Sequence, residues 1–273
     1  MEPETPSDVF TEIFRLLTPE RLLQDPRATG RGVRVAILDT GIEQSVIERR
    51  CQERGRALAS PIQGGIFVSA QGPPRPYEGK ASAPHGTTVA DIVLTLAPEV
   101  ELWSADVFGP RGICDVETLL HALRWAVENW QCKILNLSLG IPEPRLQPMP
   151  RRWQVLQAIE DAYARDVLVV AAAHNEHPLT RSYPAVFAPP LLSVDKRLFG
   201  EALRFAYAPR HQVEFQAHAR GYVGPFRDEA ATSWAAPHLT GIAARILSLR
   251  PDMKPFELKT ILYWLSRHYE AAR

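Results

Sequence analysis

Short apolar runs alternate along the chain with longer stretches in which apolar residues return every three or four positions. VRVAIL (33–38), VELWSADVF (100–108), KILNLSLG (133–140) and VLVVAAA (167–173) are near-continuous, the pattern of strands buried on both faces. LLSV (191–194) and VEFQAH (213–218) are shorter runs of the same kind. Helical spacing follows His85-Gly86 as far as Pro98, and again over 116–129, where Val116, Leu119, Leu120, Leu123 and Val127 share one face. Further helices are predicted over 152–164, from Ser233 onward, and over 255–267 after Pro255. Residues 60–84, rich in Gly, Pro and Ser, read mostly as loop around one apolar patch, IFV (66–68). Strands alternating with helices predict an α/β fold with a mostly parallel central sheet and helices on both faces.

Residues 1–30 read as an arm or short pro-segment, and 31–273 as one domain. Ser7 is placed to cap a short helix with Phe10, Ile13, Phe14 and Leu17 on one face, and Thr18-Pro19-Glu20 looks like a second helix start. Of 273 residues, 45% are hydrophobic and 23% charged, enough apolar material for one large core. Lys and Arg number 31, as do Asp and Glu, so net charge gives no reason to expect nucleic acid or an acidic membrane as partner. No apolar run approaches the ~18 residues of a membrane span. Cys51, Cys114 and Cys132 are odd in number and form no CxxC pair, which argues against a disulfide framework or a Cys-based metal site. The N-terminus lacks the basic and apolar regions of a signal peptide, so a cytoplasmic location is expected.

Chemistry concentrates where strands end and helices begin. Asp39 follows VRVAIL directly, His85 opens a helix, and Ser233 opens another within AATSWAAPHLTG (230–241). In a parallel sheet, ligands sit beyond the C-terminal strand ends. A Ser hydroxyl becomes a nucleophile only when a base within reach removes its proton. His is the natural base, and a carboxylate holds its tautomer. Each residue also has a plain structural reading. Asp-Thr-Gly makes a turn, His opens a helix, and Thr-Ser caps one. No His pair at metal-ligand spacing appears, which makes a metal hydrolase a poor reading.

Taken together, VAILDTGI (35–42), HGTTVA (85–90) and ATSWAAPHLTG (231–241) resemble the Asp, His and Ser motifs of the subtilisin-like serine proteases. LNLSLG (135–140) resembles that family's substrate-binding strand, and VVAAAHNE (169–176) its oxyanion-Asn segment. SYPA (182–185) and VFGPRG (107–112) resemble opposite walls of its first specificity pocket. The resemblance runs in order from about 33 to 265 and implies a subtilisin-like three-layer fold. It further implies a serine endopeptidase working through an acyl-enzyme, with Asp39 orienting, His85 as general acid–base and Ser233 as nucleophile. Asn175 and the Ser233 amide would bind the oxyanion. An extended peptide or protein substrate would add as a strand between Ser138, Leu139 and Gly140 on one side and Gly112 and Ile113 on the other. His174 and Glu176 would stand near the first pocket; Glu176 would favour a basic residue before the cleaved bond if it lines that pocket, and is otherwise a solvated rim carboxylate. The resemblance implies no cofactor. Calcium is common in the family, but no matching loop is readable.

Several residues depart from the family pattern. Ala231 and His174 replace Gly, as do Asp91, Ile141 and Cys114, and Thr88 replaces His. These changes suggest a narrow or atypical substrate, such as one dedicated protein partner. Two rivals stay open: a catalytically impaired peptide-binding module, and an esterase or transpeptidase using the same site.

Overall fold

The computed structural model describes residues 9–56, 60–69, 72–109, 112–146, 149–223, 226 and 228–271. The elements run α1 (Val9–Leu16), α2 (Pro19–Leu22), β1 (Arg34–Asp39), α3 (Gln44–Glu53), β2 (Ile62–Phe67), β3 (Arg75–Pro76) and α4 (Pro84–Leu96). They continue with β4 (Glu101–Asp106), α5 (Val116–Glu128), β5 (Ile134–Leu137), β6 (Ile141–Pro142), α6 (Pro150–Ala164), β7 (Leu168–Ala172) and β8 (Ser182–Tyr183). The last are β9 (Leu192–Arg197), β10 (Phe205–Arg210), β11 (Val213–His218), α7 (Thr232–Leu249) and α8 (Pro255–Ala271).

Nine strands form one sheet in the order β10-β11-β9-β7-β5-β1-β4-β2-β3. The seven from β11 to β2 are parallel, and only the edge pairs β10–β11 and β2–β3 are antiparallel. Each central strand feeds both cores. In β1, Val35 and Ile37 join the core under α3, α4, α7 and α8, while Ala36 and Leu38 join the one under α5 and α6. That two-sided burial explains why these strands lack polar alternation. The three-layer α/β arrangement expected from the sequence is the one observed.

Several elements depart from expectation. Residues 62–67, expected as loop, form β2, parallel to β4. The pair Gly64-Gly65 dilutes the apolar pattern there, yet Gly65 is what lets the strand approach, since a Cβ on it would lie 2.1 Å from the Ser104 carbonyl oxygen. Helix α3 and edge strand β10 were not foreseen. α3 is mostly polar, with only Ile47 and Cys51 buried, but its Arg50 and the following Arg54 serve the interior. Both pair with the fully buried carboxylate of Asp91 in α4, Arg54 Nη2 at 2.7 Å and Arg50 Nε at 3.3 Å. Asp91, where the family has Gly, thus arrives with its own counter-charges.

In the arm, α1 lies on α8. Phe14 stacks on His268 with ring centroids 3.8 Å apart, and its carbonyl accepts from His268 Nε2. Leu23 is fully buried in the main core. Ser7 and the side chain of Phe10 lie outside the described residues. Cys51, Cys114 and Cys132 are free and buried. Burial pushes the Cys114 thiol up to about 12. Among the described residues no helix is long and apolar enough to cross a membrane.

Candidate active site

Asp39 closes β1, and its carboxylate is fully buried. Its Oδ1 accepts the Thr40 amide at 2.8 Å and meets His85 Nδ1 at 2.8 Å. His85 stands in the first turn of α4, brought against the end of β1 by close backbone packing. Gly86 allows it: a Cβ there would lie 2.3 Å from the Gly41 carbonyl oxygen and 3.1 Å from Asp39 Cβ. Thr40 ties the two segments, its Oγ1 accepting the Gly86 amide at 2.9 Å and donating to the Ala83 carbonyl at 2.8 Å. Burial alone would lower the His85 pKa; the adjacent Asp39 carboxylate and its hydrogen bond outweigh this and raise it.

Thr232 and Ser233 open α7, and neither side chain caps it. Ala231 is the cap residue, at φ −135° and ψ 151°, with no side-chain cap hydrogen bond. That is extended backbone, which an Ala adopts without strain. The Thr232 amide and Oγ1 both donate to Asn175 Oδ1, at 2.9 and 3.1 Å. With its oxygen so engaged, Asn175 makes no hydrogen bond through its Nδ2–H donors among the described residues.

Pro237 explains the next contact. Lacking an N–H, it leaves the carbonyl of Ser233, four residues back, without its helical donor. Ser138, just beyond β5, supplies one: its Oγ donates to the Ser233 carbonyl at 2.8 Å. Ser138 is itself held by Asn136, whose Nδ2 donates to Ser138 Oγ at 3.0 Å and whose Oδ1 accepts Thr240 Oγ1 at 2.9 Å. The end of β5 is therefore latched to the start of α7. In return, Ser233 Oγ donates to the Ser138 carbonyl at 3.4 Å, and no hydrogen bond joins it to His85. The structure brings Asp39 to His85 and Ser233 to Ser138, with Asn175 held beside Ser233 through Thr232.

The predicted substrate-contacting residues are placed as follows. Ser138 and Leu139 are nearly buried, and Gly140 is exposed at the end of their segment. Gly112 and Ile113 are exposed, but their amides close a local turn onto the Gly109 and Phe108 carbonyls at 3.1 and 3.3 Å. Pro110 and Arg111, within the predicted opposite wall, lie outside the described residues. His174 turns inward on its own loop, its Nδ1 accepting the Glu176 amide at 3.1 Å. The Glu176 side chain is 70% exposed and accepts Thr180 Oγ1 at 3.2 Å, a rim carboxylate.

Sequence reasoning did not find Thr232, Asn136, Thr240 or Asp106. Asp106, at the end of β4, is nearly buried and accepts the Gly109 amide at 2.9 Å and the Ser82 amide at 3.3 Å. It anchors the segment that leads into His85. The signal was present in part, since a carboxylate ending an apolar strand and followed three residues later by Gly marks a turn. His238 was also unassigned: Nδ1 donates to the Trp234 carbonyl at 2.7 Å, and Nε2 meets Tyr222 Oη at 2.8 Å. Burial pulls its pKa down to about 3, so it stays neutral. Among the described residues no group of three or more His, Cys, Asp or Glu side chains is arranged to hold a metal ion.

Residues 30–195 match the Subtilase family. The chain is 31% identical over 252 residues to M-protease of Shouchella clausii, an alignment covering 86% of this chain and 59% of that protein. It is equally 31% identical over 252 residues to Subtilisin Savinase of Lederbergia lenta, covering 86% of this chain and 83% of that one. It thus spans less than two thirds of the first relative's length. Among solved structures, Sphericase superposes with a TM-score of 0.65 at 21% identity, over 89% of this chain and 87% of that one, a likeness of fold.

Proposed function

The chain belongs to the subtilase family, and from that membership we propose that it is a serine endopeptidase acting on an extended peptide or protein substrate. The observation that carries the reading is the 2.8 Å hydrogen bond between buried Asp39 and His85, at the strand ends where Ser233 and Asn175 also stand. The 3.4 Å bond from Ser233 Oγ to the Ser138 carbonyl is weak. For catalysis the hydroxyl leaves that bond for one to His85 Nε2. Ser233 Oγ then attacks the scissile carbonyl carbon while its proton passes to Nε2. The carbonyl π pair moves onto oxygen, which the Asn175 amide and the Ser233 N–H receive. Collapse breaks the C–N bond, and the leaving amine takes the proton from His85. Water repeats the sequence on the acyl-enzyme and frees Ser233.

Asp39 orients the imidazole and stabilises the imidazolium formed in each half-reaction. Ser138, Leu139 and Gly140 supply backbone groups for the residues before the scissile bond, as an added strand. A second reading, a module that holds peptide without cleaving it, draws on the Ser233 hydroxyl facing Ser138 rather than His85.

Peptidase activity tests the proposal together with its pH dependence. His85 accepts a proton only when neutral, so kcat/KM rises with pH as it deprotonates. Its pKa is raised by Asp39, so the acid limb is expected to have its midpoint above the ordinary imidazole value of about 6.5. Stability runs the other way. A group with a raised folded-state pKa stabilises the protein fully below its unfolded pKa and loses that contribution as pH rises through the folded one. A midpoint at or below 6.5, or no turnover across a panel of unfolded protein substrates, counts against the reading.

A further inference from the structure

The His85 ring is confined on more than its hydrogen-bonded edge. Nδ1 meets Asp39 at 2.8 Å, and the indole of Trp234, the residue after Ser233, lies against the ring with centroids 4.9 Å apart and planes 36° from parallel. Phe226 meets His85 edge to face at 6.2 Å and meets Trp234 at 5.0 Å, closing the corner. Trp234 is itself fixed. It is 2% exposed, its Nε1 donates to the Glu229 carbonyl at 3.1 Å, and its own carbonyl receives His238 Nδ1.

The second torsion of a histidine is broad, because it joins sp³ to sp² carbon. One hydrogen bond at Nδ1 fixes a point and leaves the ring free to rock about it. Turning about the second torsion swings the Nε2 lone pair out of line with Ser233, and a misplacement of about 1 Å in a reacting group can cost about 100-fold in rate. An aromatic wall against the ring face removes that freedom. It also favours the imidazolium formed in mid-reaction, through the negative face of the indole.

The geometry points to Trp234 as a positioning residue, whose indole, closed by Phe226, holds the plane of the His85 imidazole for proton transfer between Ser233 and the leaving amine. This rests on the serine endopeptidase reading above, and the test separates the two.

Trp234→Leu keeps an apolar filler and removes the ring, and Trp234→Phe keeps a ring. Both are compared with wild type under conditions where unfolding curves show all three fully folded. The Leu variant is expected to lose 10- to 100-fold in kcat with KM within about twofold, and the Phe variant to recover to within about fivefold of wild type. A pure packing role moves stability and leaves kcat of the folded protein alone. The proposal is overturned if the folded Leu variant keeps kcat within threefold of wild type, if its loss falls on KM, or if Phe does no better than Leu. A second readout needs no turnover. In the wild type the His85 Nδ1 proton is expected to exchange with water at least tenfold more slowly than in Trp234→Leu, measured by NMR; equal rates overturn the proposal. If wild type cleaves nothing while that difference in exchange is found, the endopeptidase reading has failed and the positioning role stands.

Discussion

Asp39→Asn is expected to lower kcat for amide hydrolysis about 10⁴-fold with the fold intact, the loss known for the orienting carboxylate of a triad. The reason lies in one shared oxygen. Asp39 Oδ1 accepts both the Thr40 amide and His85 Nδ1, each at 2.8 Å. If the Asn NH₂ takes the place of Oδ1 it faces Nδ1 with a donor, so the imidazole changes tautomer, carries its proton on Nε2 and can no longer accept one from Ser233; if the Asn oxygen stays there, the imidazolium still loses its counter-charge. The same variant removes the negative charge that holds the His85 pKa up, so any residual activity is expected to show an acid limb shifted to lower pH. Steady-state kinetics between pH 5 and 9, with a thermal unfolding curve as control, check both effects. A loss below tenfold means that Asp39 does not set the tautomer.

Asn175→Leu is expected to cost 10²- to 10³-fold in kcat, about 3–4 kcal/mol of transition-state stabilisation, with KM nearly unchanged. The Asn175 oxygen is committed to Thr232, at 2.9 and 3.1 Å, which fixes which end of the amide faces outward. In the proposed mechanism its Nδ2 donors serve a charge that exists only after attack on the carbonyl, so their removal is expected to fall on kcat. Substituting Leu also leaves the Thr232 amide and hydroxyl short of an acceptor, and the Thr232→Val variant isolates the hydroxyl's part. It keeps Asn175 and the backbone bond while deleting the hydroxyl, and should cost far less. An equal rise in KM on losing Asn175 would make it a ground-state binding group.

Much of this architecture was legible because the central strands are buried on both faces. β1, β4, β5 and β7 stand out as apolar runs for that reason. β2 was hidden because the close approach to β4 that needs Gly65 also deletes the apolar signal. α3 was hidden because its inward work is done by arginines on buried Asp91, which a hydrophobic pattern cannot register. At the site, Asp39, His85, Asn175 and Ser233 could be named because each sits inside a contiguous motif. Their supports could not be. Thr232 finds Asn175 across 57 residues, and Thr240 finds Asn136 across 104. Such pairings are set by the chain's path and not by local spacing. Pro237 lies between these cases: its place in the motif was plain, but its role in freeing the Ser233 carbonyl for Ser138 emerged only from the hydrogen bonds.

The endopeptidase reading requires Ser233 to be an activated nucleophile facing an assembled oxyanion hole. Its most direct test is reaction of the full chain with a fluorophosphonate, wild type beside Ser233→Ala, read by intact mass. One adduct is expected on the wild type, its formation rate rising with pH along the His85 titration, and none on the variant. A folded wild type that takes no adduct, or a variant that takes one equally well, would contradict it.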